Sequence, residues 1–223
     1  MTNKTPQSIG IIMDGNRRWA KARGLSSGEG HKAGLGALLR LLEGIRDSEV
    51  KHLAVYALSS ENWNRSELEI KALLQLFRSV VTEHLDEIKA RQVALHFLGD
   101  LDRFPKDLRT LMVKAESETT GHDRHLWICA SYGGRAEITA AAEAYKQSDT
   151  DQNFESYLWS NDLPDPEIII RTGGNKRLSN FLLWKAAYSE LYFTDTLWPE
   201  FSIKEFQEIM SDYQARVMVN KGK

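Results

Sequence analysis

The sequence predicts an α/β fold: one domain spanning residues 1–223, with a mainly parallel central sheet and helices on both faces. Three observations predict it. Short apolar runs alternate with stretches of helical period along the chain, the pattern of parallel strands joined by helical crossovers. The 223 residues, 42% hydrophobic and 27% charged, suit one globular domain with a substantial core. No repeat, low-complexity segment or linker divides them, and the polar or proline-containing stretches Gln147–Asn153 and Asn161–Glu167 read as loops.

The elements follow in order. Ser8–Met13 is apolar and short, a strand. His31–Ser48 is helical through Leu35, Leu38, Leu39, Leu42 and Ile45. His52–Leu58 is a second strand. Ile70, Leu73, Leu74, Phe77, Val81, Leu85 and Ile88 recur at threes and fours, which predicts one long amphipathic helix. Val93–Leu98 is a strand, Lys106–Ser117 a helix and Leu126–Ala130 a strand. Ala136–Lys146 is helical, Ile168–Ile170 a strand, Leu178–Tyr188 a helix and Leu191–Phe193 a short strand. A helix from Ile203 to about Val217 completes the pattern. The Ile70–Ile88 stripe suits a core, and it equally suits the wall of an apolar tunnel.

Composition narrows the function classes. A formal net charge of −2 gives no global attraction to nucleic acid or anionic lipid, so any anion site must be local. No aromatic platform for stacking bases accompanies the basic residues, which argues against a nucleic-acid partner. The single cysteine, Cys129, excludes an internal disulfide and a cysteine metal cluster. Met1–Gln7 is polar and lacks the apolar stretch of a secretory signal, and no run reaches a membrane span. A cytoplasmic protein is expected.

In open α/β sheets ligands sit beyond the carboxyl ends of the strands, and there the chemistry collects. After the first strand come Asp14-Gly15-Asn16-Arg17-Arg18, where Gly15 and Asn16 suit a tight turn. Asp14 at the strand tip can bind a divalent metal, and the adjacent arginines can hold phosphate. The same residues also suit a plain strand-to-helix turn with a solvated basic patch. The second strand leads into Ser59-Ser60-Glu61-Asn62-Trp63-Asn64-Arg65, and the strand of Cys129 into Ser131-Tyr132-Gly133-Gly134-Arg135. The strand ending at Ile170 leads into Arg171-Thr172-Gly173-Gly174-Asn175-Lys176-Arg177-Leu178-Ser179. Four such loops on one edge exceed what turn chemistry alone explains.

The Arg171–Ser179 loop is the most phosphate-like. Its paired glycines allow close backbone approach, its arginines offer charge-assisted contacts, and Ser179 is expected to open a helix whose N-terminus favours anions. An N-capped helix with surface bases is the plainer alternative. The spacing is neither a Walker A loop nor a Gly-x-Gly-x-x-Gly turn. His31, beside Gly30, could contact a diphosphate, or could simply lie at the surface. Glu190, between aromatic-rich stretches, suits a second metal ligand or an ion-pair partner.

These residues closely resemble the cis-prenyltransferase (isoprenyl transferase) family, typified by undecaprenyl diphosphate synthase, from about Ile11 to about Phe206. The anchors are Met13-Asp14-Gly15-Asn16, Gly30-His31-Lys32-Ala33-Gly34, Tyr56–Trp63, Tyr132-Gly133-Gly134-Arg135, Arg171-Thr172-Gly173-Gly174, Arg177–Trp184 and Leu197-Trp198-Pro199. The resemblance implies a Mg²⁺-dependent condensation of isopentenyl diphosphate with an allylic diphosphate, leaving a Z double bond. It implies that Asp14 binds Mg²⁺ and that Glu190 completes the metal site, together with a partner subunit of a homodimer. Gly15, Asn16, Arg18 and His31 would hold the allylic diphosphate, and Arg171, Arg177 and Ser179 the isopentenyl diphosphate. Asn62 would position reacting groups, and Trp63, Arg65 and Glu69 would lie in a segment that closes over substrate. Arg17, Trp19, Ser59, Ser60 and Glu61 join the substrate-binding set. The family also implies a hydrophobic tunnel and peripheral membrane contact through a lipid product.

Departures from the family pattern bear on the product. An arginine common four residues before His31 is Ser27 here, and Arg17 replaces a common glycine and could take over its charge. Trp127, with Arg124 upstream, stands where an asparagine is usual. Pointing into the tunnel, these side chains would block its far end and shorten the product; pointing outward, they carry no such meaning. The arginine-rich ending is reduced to Arg216-Val217-Met218, and Asn175 stands where glutamate is frequent. An undecaprenyl-type product is the leading expectation. A short Z-farnesyl-type or branched product, or a catalytically silent accessory subunit, are the alternatives.

Overall fold

A computed structural model describes residues 5–220, with side chains as far as Val217. Met1–Lys4 of the polar opening and the side chain of Met218 lie outside the described residues. Six strands form one sheet: β1 (Ser8–Ile12), β2 (His52–Ser59), β3 (Val93–Leu98), β4 (Arg124–Tyr132), β5 (Ile168–Arg171) and β6 (Glu190–Phe193). Their order is β3-β4-β2-β1-β5-β6 and every pair is parallel. All carboxyl ends therefore share one edge. The chain moves from β1 to β2 on one side and returns with β5 on the other, so the strand order reverses beside β1, the place where such sheets hold ligands.

One sheet face carries α2 (Ser27–Gly44), α3 (Glu67–Thr82), α4 (Leu85–Ala90), α5 (Lys106–Thr119) and α7 (Ile203–Asn220), which bury the larger core. The other face is covered by α6 (Gly134–Gln147) and the segment 158–189, with Trp127, Cys129, Tyr132, Phe181 and Leu182 at its centre. A short α1 (Asn16–Lys21) turns away from the end of β1.

Three expectations are corrected. Leu178–Tyr188 is not a helix but a run of turns with positive φ at Ser179, Asn180 and Leu182. Its apolar spacing serves the sheet instead: Phe181 and Leu182 are fully buried and lie against Gly10. The long helix over Ile70–Ile88 is two helices, broken where the His84 amide reaches back to the Ser79 carbonyl at 3.0 Å. The helix expected from His31 begins a turn earlier, because Ser26 and Glu29 cap each other reciprocally, a Ser-x-x-Glu signal legible in the sequence.

Candidate active site

Two cavities meet at Asp14. The first, about 770 Å³, runs between the sheet and the helices α2 and α3. Its depth is apolar: Leu38 and Leu42 of α2, Phe77 and Val80 of α3, and Val55 and Ile128 of the sheet. From Ser59 to Val55 it follows β2 inward, roughly 13 Å at the usual strand rise. Its mouth is polar, lined by Asp14, Glu61, Asn62, Arg171, Arg177 and Ser179. The second cavity, about 690 Å³, is shallow and basic, with Arg17, Arg18, Lys21 and Ser27 on its wall. Met13, Asp14, Asn16, His31 and Arg65 line both.

Asp14 reaches this junction because Gly15 turns the chain at a φ of 118°, where a Cβ would sit 2.9 Å from the Leu197 backbone. Gly173 (φ 80°) is held as closely, since a Cβ there would lie 2.5 Å from Arg18. The Thr172 hydroxyl donates to the Asp14 carbonyl at 2.7 Å and ties the two loops together. Three donors hold the Asp14 carboxylate: Arg18 Nη2 at 3.0 Å on Oδ1, and Arg171 Nη2 at 2.9 Å and Asn175 Nδ2 at 2.8 Å on Oδ2. Burial acts to raise its pKa, but the Asn175, Arg171 and Arg18 donors outweigh it, so the carboxyl lies below its ordinary value. Arg171 is itself buried, and its Nη1 donates to the Arg177 carbonyl and to Ser179 Oγ, each at 2.6 Å. It is thus a strut that shapes both loops.

His31 is pushed down to about 4, first by burial and then by the Arg65 charge, so near neutral pH its imidazole is uncharged. Asn62 Oδ1 accepts from the Ser59 amide at 3.3 Å, and Glu61 Oε1 accepts from Asn180 Nδ2 at 2.9 Å. Asn180 Oδ1 in turn accepts from the Arg135 amide at 2.8 Å. These contacts bind the loop after β2 to those after β4 and β5. The carboxylate and the buried Asn16 Oδ1, which has no partner, are hard oxygen donors of the kind Mg²⁺ prefers.

The structure gathers most residues read from the sequence. Asp14, Asn16, His31, Ser59, Glu61, Asn62, Arg65, Arg171, Arg177 and Ser179 line the larger cavity, and Gly15, Arg17 and Arg18 the basic one. Four fall elsewhere. The Trp19 ring lies under the Arg23 guanidinium at 4.5 Å, and the Ser60 hydroxyl donates to Glu61 at 3.2 Å. Trp63 is an anchor: its Nε1 donates to Ser131 Oγ at 2.9 Å while Phe104 packs edge-on against the ring. Glu190 opens β6 in register with Ile168, three residues below Arg171, at the opposite edge of the sheet from Asp14. Within one chain the two carboxylates are therefore not brought together. Ser179 opens no helix, so no helix dipole acts there; its hydroxyl position comes from a turn at φ 49°.

Trp127 points away from the cavity. It stacks on His96 at 3.9 Å, donates to His52 Nδ1 at 3.2 Å, and belongs to the core on the other sheet face. It therefore does not enter that cavity. Sequence reading passed over the Asn175 and Thr172 contacts to Asp14; their place in a Gly-Gly loop after a strand was the available signal.

Residues 12–219 match the prenyltransferase family model described as "Putative undecaprenyl diphosphate synthase". An isoprenyl transferase of Fusobacterium nucleatum is 42% identical over 97% of this chain and 96% of its own length. A ditrans,polycis-undecaprenyl-diphosphate synthase ((2E,6E)-farnesyl-diphosphate specific) of Xanthomonas axonopodis is 43% identical over 95% of this chain and 86% of its own. Among solved structures, lavandulyl diphosphate synthase from Lavandula x intermedia, in complex with dimethylallyl diphosphate, superposes with a TM-score of 0.87. It is 30% identical, covering 94% of this chain and 95% of that one. The chain belongs to the undecaprenyl diphosphate synthase family, and it is an isoprenyl (cis-prenyl) transferase.

Proposed function

We propose that this transferase condenses isopentenyl diphosphate with an allylic diphosphate, with Mg²⁺, to give a Z-polyprenyl diphosphate of the undecaprenyl type. The observation that carries the reading is the junction at Asp14, where a basic pocket and a basic loop flank the mouth of a deep apolar cavity. An allylic diphosphate fits with its anionic head among Arg17, Arg18 and Arg65 and its tail along Leu38, Phe77 and Val80. Isopentenyl diphosphate fits on the other side, against Arg177, Ser179 and Arg135.

Asp14 suits Mg²⁺ because this ion is commonly held by one or two carboxylates together with substrate phosphates, and needs no all-protein cage. Bound there, the ion would supply neutralisation of charge on the departing diphosphate. The chain's own residues do the rest. Arg18 and Arg65 face the leaving group and favour the charge that develops as its carbon–oxygen bond breaks. Neutral His31 can donate a hydrogen bond there without adding charge. Asn62 and Ser59 hold the loop beside which the isopentenyl double bond would attack the allylic carbon. The apolar walls exclude water from the electron-poor carbon while the new carbon–carbon bond forms and a proton passes to the departed diphosphate.

The homodimer belongs to the same proposal. Tyr188 is 97% exposed, and Leu191 and Trp184 are exposed with it beside the edge strand β6. A second copy would cover this apolar patch, and Glu190 would serve a metal site across that contact. No helix among the described residues is long and apolar enough to cross a membrane. A cytoplasmic location, with membrane contact through the lipid product, belongs to the same proposal.

The test incubates the purified chain with Mg²⁺, labelled isopentenyl diphosphate and farnesyl diphosphate, and separates the products by length. Long Z-prenyl products, lost on chelation, are expected. Short products would assign the chain to the Z-farnesyl or branched class. No turnover with folded protein would leave the silent accessory subunit as the reading.

A further inference from the structure

Arg17 and Glu69 meet at the basic pocket. Arg17 stands in the first turn of α1 and lines that pocket, and Glu69 stands in the first turn of α3. Arg17 Nε lies 3.1 Å from Glu69 Oε1. The distance is that of an ion pair, yet the geometry is not that of a hydrogen bond, and Oε1 is buried with no hydrogen-bond donor. The arginine side chain is 56% exposed and the glutamate 20%. A guanidinium held by charge alone, half in water, keeps its donor fork free for a better acceptor. A diphosphate is that acceptor, because its oxygens match the fork bidentately and carry more charge than one carboxylate.

We infer that Glu69 is a built-in competitor for Arg17: it holds the arginine in the substrate-free chain, and an incoming diphosphate displaces it. Arg17 thereby becomes a diphosphate ligand, and Glu69 a positioning residue that sets the affinity of the pocket and the resting place of the α3 end. The inference rests on the diphosphate reading of that pocket. Glu69 opposes binding in two ways, by occupying the arginine and by repelling the incoming anion. Both interactions are partly screened, so removing the charge should tighten binding about three- to tenfold.

Glu69→Gln tests this in the whole chain. The variant keeps the local frame: the backbone amide of residue 69 donates to Ser66 Oγ at 3.4 Å, and a glutamine oxygen can still accept from that hydroxyl as Glu69 Oε2 does at 3.5 Å. Inorganic pyrophosphate is titrated calorimetrically, with Mg²⁺ present, into wild type, Glu69→Gln, Arg17→Ala and the double variant. Tightening in Glu69→Gln, weakening in Arg17→Ala and a clearly smaller tightening when Glu69→Gln is added to Arg17→Ala are expected. A lower KM for the allylic substrate in Glu69→Gln should accompany them. Equal or weaker binding by Glu69→Gln, or tightening that is as large without Arg17 as with it, overturns the inference while leaving wild-type turnover as it was. Failure of every form to bind pyrophosphate overturns the pocket reading beneath it.

Discussion

Asp14→Asn tests both the observed hold of this carboxylate on Arg171 and the part in the reaction proposed for it. The substitution keeps shape and removes charge. In the wild type Asp14 accepts from Arg171 at 2.9 Å, Asn175 at 2.8 Å and Arg18 at 3.0 Å. An amide offers one oxygen to these three donors and turns its own NH₂ toward at least one of them. Breaking a fully buried ion pair by deleting one partner costs roughly 3–5 kcal/mol. Here the arginine side chain is 6% exposed but the aspartate 25%, so water recovers part of that and about 2 kcal/mol is expected. For a chain of 223 residues this lowers Tm by about 4–8 °C. Because the donors hold the folded carboxyl below its ordinary value, its stabilisation is complete above the unfolded pKa near 4 and is lost as pH falls through the lower folded value. The difference in Tm between the two forms should therefore be full at pH 7 and close below about pH 4. Turnover should fall at least about 10²–10³-fold, the usual effect of removing one group that favours transition-state charge. Thermal melts and product assays read both. An Asp14→Asn variant as stable as wild type, turning over within tenfold of it, would refute the reasoning.

Other outcomes follow from single contacts. Trp127→Phe should leave product length unchanged, since the ring lies on the sheet face away from the cavity, while the lost donor to His52 lowers stability by about 1 kcal/mol; product analysis beside a melt decides this. Gly15→Ala should cost about 1–3 kcal/mol through its φ of 118° and its contact with Leu197, and should raise KM for both diphosphates by moving Asp14. His31, His52 and His96 are each held down to about 4, chiefly by burial. Their neutral folded forms give stability that is complete above about pH 6.5 and lost progressively toward pH 4. Tm should therefore fall on acidification from pH 7, and His96→Gln should blunt the fall.

The parallel sheet and its loaded edge were legible because both rest on local signals. Apolar runs marked the strands, and glycine with charge marked the loops behind them. The residues around Asp14 converge because parallel strands put every such loop on one edge, so one inference about topology placed them together. Trp127 was illegible for a different reason. Side-chain direction along a strand alternates residue by residue, and the sequence does not reveal which parity faces the helices. In the structure Trp127 pairs with Ala54 across β2 and β4, and both lie in the core on the face away from the cavity, which settles its direction. Glu190 is a similar case: four residues of edge strand separate the two ends of the sheet, and only the register with β5 shows that it stands at the end away from Asp14.

The segment 178–188 shows where periodicity misleads. Leu178, Phe181, Leu182 and Trp184 have helical spacing, yet the backbone takes positive φ at Ser179, Asn180 and Leu182. Ser179 and Asn180 tolerate such turns, but the leucine-rich stretch after them has no local reason to leave the helix; the reason is the site. The Asn180 carbonyl accepts from the Gly134 amide at 2.7 Å, its side-chain oxygen from the Arg135 amide, and its NH₂ group donates to Glu61. A helix would have kept its own carbonyl bonds and turned Asn180 away from this crossing. The strained turn instead joins the loops after β2, β4 and β5, while Phe181 and Leu182 anchor it in the core. Strain held in place by buried neighbours is usual at functional sites. Here it puts Ser179 Oγ on Arg171, and Arg171 on Asp14. The departure from local propensity is thus the connection between the apolar core and the Asp14 carboxylate.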